Sequence, residues 1–220
     1  MKIKAIVTGA TGMVGEGVLY ECLLHPDVES VLIINRRPCN IVHPKLKEVI
    51  HTDFFDFSEL KDVLTGYNAC FHCMGVSSVG MKEEKYHKLT YGITMALANV
   101  LAGVNPGLTF CYISGSGTDS TEKGKMMWAR VKGKTENHLL KLFGSKGFMF
   151  RPAYIQPTKG LKNAYKIAKV LAPLYPFWKF ILPKYVCRLS EIGKAMINTV
   201  SKGYDKQVLE VRDIIALSQK

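Results

Sequence analysis

The first residues whose types and spacing could do chemistry lie at the very start, in Thr8-Gly9-Ala10-Thr11-Gly12-Met13-Val14-Gly15. Gly9, Gly12 and Gly15 stand three apart. Gly9 permits a sharp turn off a preceding strand, and Gly12 lets a backbone approach an anion that a Cβ would repel. Gly15 lets the following helix pack close to the sheet. The amides of Thr11, Gly12, Met13, Val14 and Gly15 then open a helix, and free N–H groups with the helix dipole favour negative charge there. The chemistry is the holding of a dinucleotide pyrophosphate. The context supports it, because an apolar run (Lys2–Thr8) precedes the glycines and an amphipathic stretch (Gly12–Leu24) follows.

A second group follows the run Ser30–Asn35: Asn35, Arg36 and Arg37. An NAD site carries an acid at this place for the ribose 2′-hydroxyl. Here Asn35 can donate to an oxygen, and Arg36 or Arg37 can pair bidentately with a 2′-phosphate. NADP(H) is therefore the expected cofactor, with NAD(H) as the other candidate. Asp53 could accept from an adenine amino group with Phe54 packed on the ring, or simply cap a turn. Gly75 would let the chain pass beside the adenosine ribose.

Cys70-Phe71-His72-Cys73 has the look of a metal or redox pair, but the segment reads as a strand. Side chains alternate faces along a strand, so the two thiols should point apart. No metal site is expected. The other cysteines are scattered through apolar segments, as reduced buried thiols are in a cytoplasmic protein.

These residues need a scaffold. The 220 residues suit one domain, and 47% apolar with 22% charged content suits a globular one. Strands are expected at 2–8, 30–35, 47–51, 69–74, 109–113 and 148–150. Helices are expected at 12–24, 57–64, 82–102 (closed by Gly103) and 125–143. That alternation predicts an α/β fold with a doubly wound parallel sheet and ligands at the carboxyl ends of its strands. Beyond Pro152, recurrent prolines and aromatics suggest a small C-terminal substrate cap over 152–220, within the same single domain. Its elements would be a helix over 159–171, a helix over 190–200 capped by Ser190, a strand over 207–211 and a final helical turn over 212–217.

The net charge of +12 fits an anionic cofactor and a generally basic surface better than nucleic acid, because the lysines are dispersed. The first strand begins at Lys2, so no signal peptide is expected, and no apolar run is long enough to span a membrane. Residues 171–186, aromatic and flanked by lysines, would form a hydrophobic lid, or else make weak contact with a membrane surface. A small-molecule substrate is the expected partner, for a monomer or homodimer.

Taken together, the glycine loop, Asp53-Phe54, Gly75, Ser114, Lys132 and Arg151-Pro152 resemble the short-chain dehydrogenase/reductase superfamily. The nearest groups are the NAD(P)-dependent epimerase/dehydratase group and the NmrA-like NAD(P)H-binding proteins. The resemblance covers residues 2–155, with a looser match at 190–196. It implies a Rossmann fold, a nicotinamide cofactor and a Ser–Tyr–Lys catalytic set with the tyrosine four residues before the lysine.

Ser114 would then meet a substrate oxygen, with Ser116 as competitor, and Lys132 would hold the nicotinamide ribose. Four residues before Lys132 stands Trp128. Positions i and i+4 share a helix face, so Trp128 should project where the phenol would be. An indole N–H can donate a hydrogen bond but cannot release a proton at neutral pH. Tyr86 and Tyr154 are candidate replacement acids. Two functions follow: an oxidoreductase or epimerase-like enzyme on a small carbonyl or hydroxyl compound, or a non-catalytic NADP(H)-binding regulator.

Overall fold

The computed structural model describes residues 2–163, 175 and 181–220. Six strands come in the order expected: β1 (Ile3–Thr8), β2 (Val28–Asn35), β3 (Leu46–Ile50), β4 (Ala69–His72), β5 (Thr109–Ile113) and β6 (Gly147–Arg151). Between them run α1 (Met13–Leu24), α2 (Lys61–Leu64), α3 (Glu83–His87), α4 (Ile93–Val104) and α5 (Met127–Phe143). A short parallel pair, β7 (Tyr154–Gln156) and β8 (Val186–Arg188), precedes α6 (Leu189–Lys202), β9 (Val208–Glu210) and α7 (Val211–Ser218).

The main sheet has seven strands in the order β3-β2-β1-β4-β5-β6-β9, and every neighbouring pair is parallel. Chain order reverses at β1, which lies between β2 and β4. A crevice therefore opens at the carboxyl ends of these strands, where the glycine loop leaves β1.

The central strands are buried on both faces, which is why they read as near-continuous apolar runs, whereas the edge strand β3 is half-exposed. Ala5, Val7, Val31, Ile33 and Phe71 pack with Val18, Cys22, Ile192 and Ile214 on one side. Ile6, Leu32, Cys70, Phe110 and Tyr112 pack with Leu97, Leu101 and Leu139 on the other. Cys70 and Cys73 go to opposite faces, as the strand period demands.

The structure departs from the sequence reading in several places. Residues 189–218 belong to the body: β9 pairs with β6, and α6 packs on α1, where Gly17 leaves room for Leu189. The α6 N-cap is Arg188, whose N–H donates to the Glu191 carboxylate (2.7 Å), so Ser190 lies inside the first turn. Gly103 does not close its helix, which continues to Val104. The stop comes from Asn105, whose side chain accepts from the Gly66 and Tyr67 amides and donates to the Leu64 carbonyl. Between α3 and α4 the backbone widens into a π-helical turn, Lys88–Gly92. Residues 159–163 form turns rather than a helix, tied to α1 by the buried Glu16 carboxylate, which accepts from the Lys162 and Asn163 amides (2.8 and 2.7 Å). The remainder of the helix expected over 159–171 lies outside the described residues, as does most of the 171–186 lid. No helix among the described residues is long and apolar enough to cross a membrane.

His72, fully buried at the end of β4, bridges two hydroxyls: Thr8 on Nδ1 (3.0 Å) and Thr94 on Nε2 (3.1 Å). Burial pushes its pKa down to about 3. The ring is neutral in the fold, whereas the unfolded chain protonates it near pH 6.5. The unfolded state thus binds more protons between these values, and stability present above about pH 6.5 is lost as pH falls toward 3. His72 should contribute up to about 1.4 kcal/mol per pH unit across that window. Urea unfolding at pH 7 and pH 5 checks this, and His72→Gln should flatten the difference.

Candidate functional site

The loop after β1 is fixed by backbone contacts. Gly9 has φ +73°, and a Cβ there would lie 2.9 Å from the Cys73 carbonyl carbon and oxygen and from the Met74 nitrogen. Its carbonyl accepts the Gly12 N–H (2.9 Å). A Cβ on Gly15 would sit 2.1 Å from that same carbonyl oxygen. The tightness at Gly15 is thus within the loop and not against the sheet, which corrects the sequence reading. Gly12 is the α1 N-cap in extended conformation, and no side chain caps the helix. The first-turn amides are left to an outside acceptor.

Four cavities meet around this loop. One of about 180 Å³ has Gly9, Thr11, Gly12 and Asn35 on its walls. A second of about 420 Å³ is lined by Asp53, Phe54, Phe55, Leu89 and Ile93. A third of about 460 Å³ reaches Met13, Val14, Ile113 and Lys132. All three share Met74 and Gly75. The fourth, about 570 Å³, lies between Thr11, Arg36, Arg37 and Thr52. Arg36 lines three of the four. Shared walls make one groove, from the two arginines past the glycine loop to Lys132. A Cβ on Gly75 would meet no protein atom within 4 Å, so that glycine borders open space. An uncapped helix N-terminus, an open Gly75 and two arginines at the rim fit an extended anionic ligand such as a dinucleotide.

Individual residues depart from expectation. Asn35 is tied to the adjacent strand while still lining the groove: Nδ2 donates to the Glu48 carboxylate (2.7 Å), which also accepts the Cys39 N–H (3.0 Å). Burial opposes the Glu48 charge, but these donors outweigh it and hold the carboxyl below its usual range. Arg36 and Arg37 are exposed, and neither has an ion-pair partner among the described residues. Asp53 makes a turn, Oδ1 accepting the Phe55 N–H (2.9 Å), while its residue still lines the groove. Phe54 is buried edge-to-face on Phe57, with ring centroids 5.6 Å apart.

At the other end, the Lys132 ammonium donates to the Ser114 carbonyl. Burial pushes its pKa down to about 8, against the pull of Glu136 one turn along α5. The Ser114 hydroxyl donates to the Phe150 carbonyl (3.1 Å), so its proton is committed to β6 and not to the groove. Trp128 lies over the Ser114–Gly117 loop, its ring 3.5 Å from where a Gly117 Cβ would be. Gly117 has a positive φ (+86°) and no side chain, so the indole packs directly on this loop. Tyr86 is buried, and burial raises its pKa. It belongs to the core, contrary to the expectation of a cleft acid. The Tyr154 hydroxyl donates to Gln156 (3.2 Å). Behind Lys132, the Arg151 guanidinium forks onto the Glu136 carboxylate, whose side chain is 1% exposed.

Several wall residues were missed from sequence. Thr52 stands beside the arginines, and Leu89 and Ile93 line the second cavity. Leu89 and Ile93 are apolar helix residues four apart, a pattern that reads as ordinary core. Glu48 escaped because its partner Asn35 lies on the adjacent strand, and only the β2–β3 register (Asn35 beside Ile50) brings them together.

Among solved structures, a heptose-6-epimerase from Helicobacter pylori is similar at 14% identity with a TM-score of 0.68, covering 99% of this chain and 81% of that one. Uronate dehydrogenase from Agrobacterium tumefaciens gives 15% identity and a TM-score of 0.68, covering 94% and 76%. These likenesses concern the fold. Among curated proteins, "Protein FMP52, mitochondrial" of Debaryomyces hansenii is 26% identical over 169 residues, 73% of this chain and 72% of that protein. Its namesake in Candida albicans is 23% identical over 215 residues, 94% of this chain and 91% of that protein. A family model described as NAD dependent epimerase/dehydratase matches residues 5–122, from inside β1 to beyond β5. The chain belongs to the NAD dependent epimerase/dehydratase family.

Proposed function

We propose that this chain binds NADP(H) and acts as an oxidoreductase, or an epimerase-like enzyme, on a small carbonyl or hydroxyl compound. The observation that carries the reading is the continuous groove from Arg36 and Arg37, past the uncapped α1 N-terminus, to Lys132. The amides of Thr11 and of Met13 to Gly15 would hold the diphosphate, with Gly12, whose N–H is spent on the Gly9 carbonyl, leaving space for it. Arg36 and Arg37, with Thr52 beside them, would meet the 2′-phosphate. Asp53 and Phe54 would flank the adenine, Gly75 would border its ribose, and Lys132 would hold the nicotinamide ribose. When bound, the nucleotide supplies or accepts a hydride at the carbon carrying the substrate oxygen. Asn35 is better read as a brace for Glu48 and the β2 end, and Ser114 as a wall held by β6.

The cofactor choice has a direct test. Charge-assisted hydrogen bonds to a phosphate contribute about 1.5–3 kcal/mol each, so NADPH should bind roughly 10- to 100-fold tighter than NADH. Arg36→Ala with Arg37→Ala should remove that preference and leave NADH affinity near its original value. Fluorescence titration of both nucleotides reads the result. An unchanged preference in the double variant would show that the arginines do not set it.

Trp128 favours a second reading, a non-catalytic regulator whose partner binding depends on NADP(H). Trp128→Tyr restores a phenol four residues before Lys132 and should raise carbonyl reduction if the rest of the site is competent. Nucleotide binding without turnover in both forms, together with a partner captured only in the presence of NADPH, would favour the regulator.

All six cysteines are free, which suits a reducing compartment. The cytosol meets that requirement. The mitochondrial designation of the FMP52 relatives makes a mitochondrial compartment the competing location. Weak contact of 171–186 with an anionic membrane stays a separate proposal, supported by the exposure of Ile181, Leu182 and Tyr185.

A further inference from the structure

We propose that Lys132 is itself the proton donor and acceptor of the reaction, in the part the missing phenol would play; this inference rests on the oxidoreductase reading. It begins from the cavity of about 460 Å³ where the α1 N-terminus, the β4 end and α5 meet. Two titratable side chains line it, Lys132 and Cys73. Burial holds the Cys73 thiol well above its ordinary value, so it stays protonated and gives up nothing near neutrality. The remaining lining is backbone, apolar side chains and the Ser77 hydroxyl.

The phenols on the surrounding elements are buried or hydrogen-bonded elsewhere, and an aliphatic hydroxyl such as that of Ser77 or Ser116 is too weak an acid to give up a proton near neutrality. The Ser114 hydroxyl donates to the Phe150 carbonyl, and Trp128 rests on Gly117 and has no acidic proton. Tyr86 and Tyr112 are buried in the core, where burial pushes both phenols up. Tyr154 donates to Gln156. Lys132 keeps protons to spare. An ammonium carries three donors, one is spent on the Ser114 carbonyl, and two are left for a ribose hydroxyl and a substrate oxygen.

The charges around the amine suit the task. Within α5, Glu136 lies one turn along and favours the ammonium, but its carboxylate is already forked by Arg151. From β4 the neutral Cys73 faces it, from β5 the Ser114 carbonyl, and α1 presents only Met13 and Val14. Burial therefore prevails and brings the amine down to about 8, close to the operating range of a general acid. In reduction, the carbonyl carbon gains a hydride from the reduced nucleotide and the carbonyl oxygen gains a proton from the Lys132 ammonium, directly or through one solvent molecule. The C=O π bond breaks, C–H and O–H bonds form, and the products are an alcohol, the oxidised nucleotide and a neutral amine that solvent reprotonates.

Two measurements on the full chain test this. Competitive acetylation of the nucleotide-free protein, read by peptide mass spectrometry across pH, should give Lys132 a midpoint near pH 8. A midpoint near the ordinary lysine value of about 10.4 overturns the assignment. Single-turnover NADPH oxidation with a panel of aldehydes and ketones should proceed below that midpoint and fall as pH rises through it, because only the ammonium has a proton to give. Lys132→Arg keeps a cation but cannot deprotonate, and should lose about 100-fold or more in single-turnover rate at saturating NADPH. Lys132→Met should lose rate as well, with a circular-dichroism melt confirming that it folds. Turnover that survives in Lys132→Arg, or that lacks the break in wild type, overturns this assignment alone. Tight NADPH binding with no turnover on any carbonyl overturns it together with the oxidoreductase reading.

Discussion

Gly15→Ala should reduce nucleotide affinity by at least about 100-fold and destabilise the fold by roughly 1–3 kcal/mol. The new methyl would lie 2.1 Å from the Gly9 carbonyl oxygen, 2.4 Å from its carbon and 2.9 Å from the Ala10 nitrogen. All three are backbone atoms. Gly9 cannot retreat, because its own Cα already faces the Cys73–Met74 backbone at a distance that forbids a Cβ. Either α1 moves off the loop or the loop moves into the groove, and both displace the amides that would hold the diphosphate. Gly103→Ala is the matched control. It adds the same methyl to a helical glycine with no atom within 4 Å and should leave affinity unchanged. Isothermal titration with NADPH and urea unfolding of both variants read the two effects. Unaltered affinity in Gly15→Ala would mean that the loop does not hold the diphosphate.

The second large effect concerns the ion pair behind Lys132. Replacing Glu136 by leucine should cost about 3–5 kcal/mol, because it leaves the Arg151 guanidinium buried without its main partner. That guanidinium is only 12% exposed, and its remaining contacts are the Ser120 hydroxyl and Glu210 at 3.7 Å. Joining Arg151→Met to Glu136→Leu should recover most of the loss, since a buried pair often does little better than apolar groups of similar volume. The same single substitution removes the charge that raises the Lys132 pKa, so the lysine midpoint should fall further below about 8. A double-mutant cycle by chemical denaturation, with Lys132 labelling alongside, separates the stability effect from the electrostatic one. A Glu136→Leu cost below about 1 kcal/mol would place the pair among weak surface bridges.

How much of this was legible in the sequence depended on whether local pattern or tertiary contact decided the outcome. β5 falls on Thr109–Ile113 as read, because a strand buried on both faces needs an unbroken apolar run and TFCYI supplies one. The glycine loop was legible because Gly9 and Gly15 answer steric demands set by backbone. Even there, the demand at Gly15 comes from Gly9 and not from the sheet. The end of the helix at Asn105 was not legible, since a glycine two residues earlier is the stronger local stop signal and the bonds that cap the helix run to residues 64–67.

The same division holds in the site. Arg36 and Arg37 could be placed at the end of β2 from spacing alone. That Asn35 beside them is bound to Glu48 depends on strand register, which the sequence does not state. Helix periodicity put Trp128 on the face of Lys132, and its contact with Gly117 depends on the path of the 114–117 loop, which spacing along the helix does not state. Spacing located the helix that carries Lys132. The proposal that Lys132 moves the proton rests instead on burial and on the partners of Ser114 and Tyr154.

The most direct measurement is equilibrium binding of NADPH and NADH to the purified chain after all endogenous nucleotide has been removed. Saturable one-to-one uptake of NADPH at micromolar concentration, weaker uptake of NADH, and loss of both in Gly15→Ala is the predicted result. No uptake of either nucleotide at millimolar concentration would contradict the account at its base.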